Sequence, residues 1–148
     1  MTERSGNPEV TVEMIRERLG GSFPGDLGIV PLEITTERSR GRLVVDRRHL
    51  HPGGYVHGGV RAAFADTVAA WGTWRNMPPG HDFTTLELKL NVFAAGRVGD
   101  ELVATATPKH RGRRTQVWSV DIHRDDREVA MFTLTQFVLE PPPAGREN

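Results

Sequence analysis

Tyr55-Val56-His57-Gly58-Gly59-Val60-Arg61-Ala62-Ala63-Phe64-Ala65-Asp66 is the stretch on which the fold turns. Paired glycines open it, and from residue 60 to 74 everything except Arg61 and Asp66 is Val, Ala, Phe, Trp, Thr or Gly. A helix with that composition is apolar nearly all round and belongs inside a protein. Asp66 is then an acid in a core, costly unless it is paired, hydrogen-bonded or kept for chemistry. No basic residue stands three or four positions from it, so its partner must come from outside the helix. A structural option is an arginine such as Arg61 or Arg75 from elsewhere in an oligomer.

Outward from this helix the chain reads as strands. Pro52-Gly53-Gly54 breaks the chain before it, and upstream the segments 27–36 and 43–46 lean to β structure around a polar turn, Ser39-Arg40-Gly41. Further upstream, Asn7-Pro8 reads as an N-cap with proline in the first turn of a short amphipathic helix carrying Val12, Met14, Ile15 and Leu19, stopped by Gly20-Gly21. Downstream, Leu86, Leu88, Leu90 and Val92 alternate with Thr85, Glu87, Lys89 and Asn91, the two-residue period of a strand with one buried face. Strands are also expected at 101–107, 113–123 and 128–139, with separators at 96–99, 111–112 and 124–126 short enough for antiparallel hairpins. One long apolar helix among about six strands, with a small helix in front, implies an α+β fold whose antiparallel sheet wraps the helix.

The 148 residues fit one domain, 1–148, with an ordered core at about 8–140 and loose tails at 1–7 and 141–148, where Pro141-Pro142-Pro143 ends regular structure. Lys plus Arg and Asp plus Glu both number 19. A net charge of zero provides no bulk field for nucleic acid or an anionic membrane, and neither is expected as a partner. The absence of cysteine removes thiol nucleophiles and thiolate metal sites. The polar N-terminus lacks the apolar core of a signal peptide and no run approaches a membrane span, so a cytoplasmic protein is expected.

Several of these segments together resemble a known family. Gly54-Tyr55-Val56-His57-Gly58-Gly59 with an acid at Asp66, then Thr84-Thr85-Leu86-Glu87-Leu88-Lys89-Leu90-Asn91, Gly99-Asp100 and His110-Arg111-Gly112-Arg113-Arg114, resemble the hotdog-fold acyl-CoA thioesterases of the phenylacetate-pathway (PaaI-like) and 4-hydroxybenzoyl-CoA thioesterase type. The likeness runs from about residue 54 to 137. It implies a hotdog fold, and hydrolysis of an acyl-CoA to free acid and coenzyme A with no cofactor; aryl acyl groups follow from the resemblance, and a medium chain is the open alternative, so an aryl- or medium-chain acyl-CoA is expected. It also implies that the Gly58 N–H holds the thioester oxygen, Asp66 acts as base or nucleophile, and Thr85 positions water. The implied assembly is a homodimer with sites shared across the interface, or a tetramer of such dimers. In one departure, the family carries asparagine six residues before the motif histidine and this chain has His51, an imidazole that titrates near neutral pH. A non-catalytic acyl-CoA sensor of the same fold and a thioesterase for carrier-protein-bound chains are the alternatives.

Elementary chemistry supports the same residues. A helix N-terminus offers unpaired N–H groups at the positive end of its dipole, and glycine lets a substrate approach them. Thr84 competes with Thr85, and spacing to the Gly96 turn favours Thr85. His57 either orients the thioester or shapes the turn. His49, His51 and His57 raise a zinc reading, but no third ligand at suitable spacing is evident and no metal is expected. Lys109-His110-Arg111-Gly112-Arg113-Arg114, at an expected hairpin tip, is either a solvated run or a grip on coenzyme A phosphates through Lys109, Arg111, Arg113 and Arg114.

Overall fold

The computed structural model describes residues 6–143. Two short helices, α1 (Val12–Leu19) and α2 (Phe23–Asp26), precede strands β1 (Val30–Ile34) and β2 (Ser39–Val44). The long helix α3 (Gly58–Asn76) follows, and then β3 (Asp82–Val92), β4 (Glu101–Arg111), β5 (Thr115–Arg124) and β6 (Arg127–Leu139). All six strands form one antiparallel sheet in the order β1-β2-β4-β5-β6-β3, with α3 packed on one face. This is the hotdog arrangement. Phe64, Ala65, Val68 and Ala69 of α3 interlock with Leu102, Ala104, Trp118, Val120, Phe132 and Leu134 of the sheet, all at most 1% exposed.

Two glycines let helix and sheet approach closely. A Cβ on Gly41 would come 2.7 Å from Val68 Cγ2, and one on Gly72 would come 2.5 Å from Trp118 Cη2. This corrects the expected turn at Ser39-Arg40-Gly41, because those residues lie in β2. There Ser39 Oγ donates to the Val68 carbonyl at 2.6 Å, and Gly41 leaves room for the helix. The turn is at residues 35–38, where Thr35 Oγ1 accepts from the N–H groups of Glu37 and Arg38.

The front helix also starts later than expected. Thr11 caps it, its hydroxyl accepting from Met14 N. Asn7 belongs instead to the far end of α3: it is 5% exposed, donates its N–H to the Arg75 carbonyl at 2.8 Å, and receives Arg75 Nη1 on its own carbonyl. Residue 7 is therefore pinned rather than part of a loose tail, while the expectations for residues 1–5 and 144–148 lie outside the described residues.

Two further corrections concern β3. It pairs with β6 rather than forming a hairpin with β4, and the 96–99 separator belongs to a connection from the sheet edge past the start of α3, held where Val56 N–H donates to the Gly96 carbonyl at 3.0 Å. The alternation of Leu86 to Val92 is broken by a register shift between Thr85 and Glu87, which turns Leu86 outward at 61% exposure. Val92 is also exposed, at 47%. Leu88 and Leu90 pack against the core as the period requires.

Candidate active site

His57 is the N-cap of α3. Its Nδ1 accepts from Gly59 N–H at 2.8 Å, and its carbonyl accepts from the N–H groups of Val60 and Arg61. Among the described residues, the Gly58 N–H at the first helical position meets no acceptor. The paired glycines thus divide their work: Gly59 is spent on the cap, and Gly58 keeps a donor at the positive end of a 19-residue helix. A Cβ at Gly58 would meet only Leu90 Cδ2, at 3.9 Å, so the approach is open.

Asp66 lies two turns further on and is half-buried, a correction to its expected place inside the core. The helix is covered by sheet on one side only, and Asp66 sits on its flank, facing β3 and β6. Thr85 Oγ1 donates to Asp66 Oδ1 at 2.7 Å, while the neighbouring Thr84 is exposed. Gln136 Nε2 lies 3.4 Å from the same oxygen and 3.3 Å from Thr85 Oγ1. Oδ2 receives no hydrogen bond among the described residues. Neither arginine considered for Asp66 bonds to it within the chain: Arg75 is engaged with Asn7, and Arg61 faces the connection between β3 and β4.

Gln136 was not singled out in the sequence, although the signal was there. In β6 the inward positions are Ala130, Phe132, Leu134, Gln136 and Val138, so a glutamine interrupts an apolar register. It is fully buried, receives the Thr73 hydroxyl on its Oε1, and pairs across the sheet with Gln116, which is 2% exposed and donates to the Thr73 carbonyl at 3.5 Å. A buried amide is tolerated when its polar atoms are occupied. The network therefore anchors the oxygen on which Thr85 and Asp66 meet.

The three histidines do separate jobs. His49 is fully buried, with Nδ1 accepting from Asp46 N–H at 2.9 Å and Nε2 at 2.8 Å from the Leu27 carbonyl, so both nitrogens are occupied. His51 Nδ1 accepts from Gly53 N–H at 2.8 Å, and its ring lies 5.9 Å from that of Tyr55. His51, Tyr55, Gly58, Arg61, Val92 and Phe93 border a cleft of about 420 Å³ at the start of α3.

The basic run lies at the other end of the helix. Lys109, His110 and Arg111 continue β4, and residues 112–114 make the turn into β5. Arg111 reaches the Thr36 carbonyl at 3.1 Å and Glu37 at 3.0 Å, and Arg114 stacks over the Phe137 ring at 5.3 Å. Lys109 and Arg113 are exposed.

An antiparallel sheet around one helix, with a free N–H at the helix start and a carboxylate on its flank, is the architecture of a hotdog hydrolase. The chain belongs to the thioesterase superfamily, whose model matches residues 53–131, more than half of it. It is thereby a thioester hydrolase by class. The thioesterase HI1161 of Haemophilus influenzae superposes with a TM-score of 0.87 at 26% identity, over 96% of this chain and 99% of that one. The phenylacetic acid degradation protein PaaI of Thermus thermophilus gives a TM-score of 0.72 at 27% identity, over 78% and 96%. A 1,4-dihydroxy-2-naphthoyl-CoA hydrolase of Listeria monocytogenes is 31% identical over 65% of this chain and 77% of its own length. No helix among the described residues is long and apolar enough to cross a membrane.

Proposed function

We propose that this protein hydrolyses an aryl- or medium-chain acyl-CoA, in sites that each draw on two copies of the chain. The observation that carries the reading is the unpartnered Gly58 N–H beside a capped Gly59, a donor left for a developing oxyanion. Asp66 Oδ1 is held by Thr85 and Gln136, which orients Oδ2 toward a water. In the proposed reaction Asp66 takes a proton from that water as its oxygen bonds to the thioester carbon. The carbonyl oxygen becomes an oxyanion on the Gly58 N–H, and the intermediate collapses as the carbon–sulfur bond breaks. The coenzyme A thiolate then recovers the proton from Asp66.

Gly58 and Asp66 are eight residues apart on one continuous helix, roughly 12 Å along its axis. Both groups must come within about 3 Å of the reacting centre, so one chain cannot supply them to one substrate. A two-fold pairing with antiparallel central helices brings Gly58 and His51 of one protomer to Asp66 and Thr85 of its partner. Strand β3 suits such a pairing: it is a sheet edge with backbone groups unpaired on one side, and it exposes Leu86 and Val92. The basic turn supplies Arg113 and Arg114, with Lys109, for the coenzyme A phosphates, while Arg111 braces the turn through Glu37. We place the enzyme in the cytoplasm, where acyl-CoA is found.

The test is a thiol-release assay over a panel of aryl and linear acyl-CoAs, run on wild type and Asp66→Asn, with the oligomeric state measured by sedimentation. Turnover that depends on Asp66, in an assembly no smaller than a dimer, is the expected result. Tight acyl-CoA binding without thiol release would replace this reading with that of a sensor.

A further inference from the structure

Among the described residues Arg61 has no counter-charge. It is 2% exposed on the core side of α3, and no described residue gives its Nε or Nη1 a hydrogen-bond partner. Its charged neighbour is another cation, Arg124. The carboxylate beside Arg124 is already committed: Asp100 Oδ2 accepts from Arg124 at 2.9 Å and from Arg97 N–H at 2.9 Å, and Arg124 also donates to the Ala95 carbonyl at 3.1 Å. Arg124 thus has a carboxylate of its own, and among the described residues none pairs with Arg61. Burial, together with the charge of Arg124, pulls its pKa below the ordinary arginine value, yet a guanidinium stays protonated in proteins. The next core-facing positions, Phe64, Ala65 and Val68, are apolar, and an apolar side chain at 61 would avoid the desolvation that an unpaired guanidinium incurs.

This cation borders the same cleft as the free Gly58 N–H. The two residues are three apart on one helix, about 4.5 Å of rise. The connection between β3 and β4 closes over the guanidinium at Gly96, where a Cβ would lie 3.3 Å from Arg61 Nη2 and 2.8 Å from Val56 Cγ2. Further positive charge stands at the rim, with Arg97 over the Tyr55 ring at 4.9 Å. The walls nearby, Val92 and Phe93, are apolar. We propose that the acyl group of the substrate carries a second acid, a carboxylate on a short aliphatic or aryl spacer, which Arg61 binds while the Gly58 N–H holds the thioester oxygen. This rests on the thioesterase reading of Gly58 and deepens it to a substrate class, the monothioesters of dicarboxylic acids. The phosphates of coenzyme A lie on the leaving-group side, at the end of the long pantetheine arm. A carbonyl on Gly58 therefore carries them away from Arg61.

The test compares glutaryl-CoA with pentanoyl-CoA, which have equal acyl carbon counts and differ by one carboxylate. Both kcat/KM and the Kd of the non-hydrolysable analogues, with CH2 in place of sulfur, are measured for wild type, Arg61→Met and Arg61→Lys. Wild type should favour the glutaryl compound, and Arg61→Met should shrink that preference about tenfold to a hundredfold, the loss of one charge-assisted hydrogen-bonded pair. Arg61→Lys should restore part of it, because lysine keeps the charge and loses the planar fork. Arg61→Met should melt at or above the wild-type temperature. An unchanged preference overturns the proposal. So does a lower melting temperature with subunit dissociation, which assigns Arg61 to a carboxylate of a second copy. Equal weakening of both analogues, absent when the nucleotide is removed from them, assigns it to a phosphate instead. Binding and turnover separate this inference from the one beneath it: if neither compound is hydrolysed but the Kd ratio responds to Arg61, the hydrolase reading fails and the carboxylate site stands.

Discussion

The middle of α3 and its start treat polar groups in opposite ways. At the middle, Asp66 is met from two strands by Thr85 and Gln136, and Gln136 is tied in turn to Thr73. At the start, the Gly58 N–H and the Nε and Nη1 of Arg61 have no acceptor among the described residues, and both residues border a cleft. The first region is a network in which Thr85, Gln136 and Thr73 engage one another and hold Asp66 Oδ1, the usual state of buried polar groups. The second leaves a donor and a charge for something that is not part of the fold. On the proposed reading, the first region holds the base in position and the second receives the substrate.

The largest expected effect breaks the first region without disturbing its packing. Asp66→Asn keeps an acceptor for Thr85 but cannot take a proton, so kcat should fall roughly a hundredfold to ten-thousandfold with the melting curve little changed. Near-normal turnover in a folded variant would move the chemistry elsewhere. The second variant silences the opposite region. Proline is tolerated at the first helical position, and His57 already has the extended backbone (φ −64°, ψ 138°) that a following proline needs. Gly58→Pro therefore removes one N–H and little else, and it should cost about a hundredfold to a thousandfold in kcat. Gly58→Ala, which keeps the donor, separates the hydrogen bond from steric bulk. Mixed with inactive Asp66→Ala subunits, Gly58→Pro subunits should regain activity in heterodimers, since each pair then holds one intact site. Folded heterodimers that stay inactive would count against shared sites.

Gln136→Leu sharpens the comparison on the stability side. It strands the Thr73 hydroxyl in the core and takes a donor from Asp66, so thermal or urea denaturation should show a loss of about 1–3 kcal/mol. Activity should fall less than in Asp66→Asn. At the far end of the helix, Arg113→Ala with Arg114→Ala should raise KM for acyl-CoA up to about tenfold with kcat little changed, because exposed phosphate contacts bind ground and transition states alike. A thioester lacking the nucleotide should not respond, and an equal loss on both substrates would exclude a phosphate site.

The smallest effect concerns Asp100, which bonds to Arg124 and to the Arg97 N–H. Burial pushes its carboxyl up, but the Arg97 N–H and the hydrogen bond and charge of Arg124 outweigh this and hold it below the ordinary value of 3.8. A depressed carboxyl contributes stability above its unfolded pKa and loses it as pH falls through the folded one. Asp100→Asn should therefore cost about 1 kcal/mol at neutral pH, with the gap to wild type closing below about pH 4. A constant gap down to pH 2 would mean that packing, not charge, makes the difference.

The amino-acid sequence by itself determined the central helix and the strands after it, because a fifteen-residue apolar run and a two-residue alternation are local patterns, while the roles proposed for Gly58, Asp66 and Thr85 come from the resemblance of their motif to a family. Thr85, favoured over Thr84 in the sequence, does meet Asp66, but the register shift after it, not the regular two-residue period, puts it on that face. Tertiary structure alone decided which polar groups have partners. The pairing of β3 with β6 rather than β4 brings Gln136 beneath Asp66, from a residue 70 positions away. The bulge after Thr85 turns Leu86 outward against its period, and Gly41, which reads as a turn residue, is the gap through which α3 meets the sheet. Arg61 shows the difference most plainly. In the sequence it is one charge on an apolar helix, and nothing local says whether an acid faces it. Hydrogen bonding and desolvation depend on neighbours that the chain brings together from distant positions, so only the folded molecule assigns Asp100 to Arg124 and leaves Arg61 unmatched.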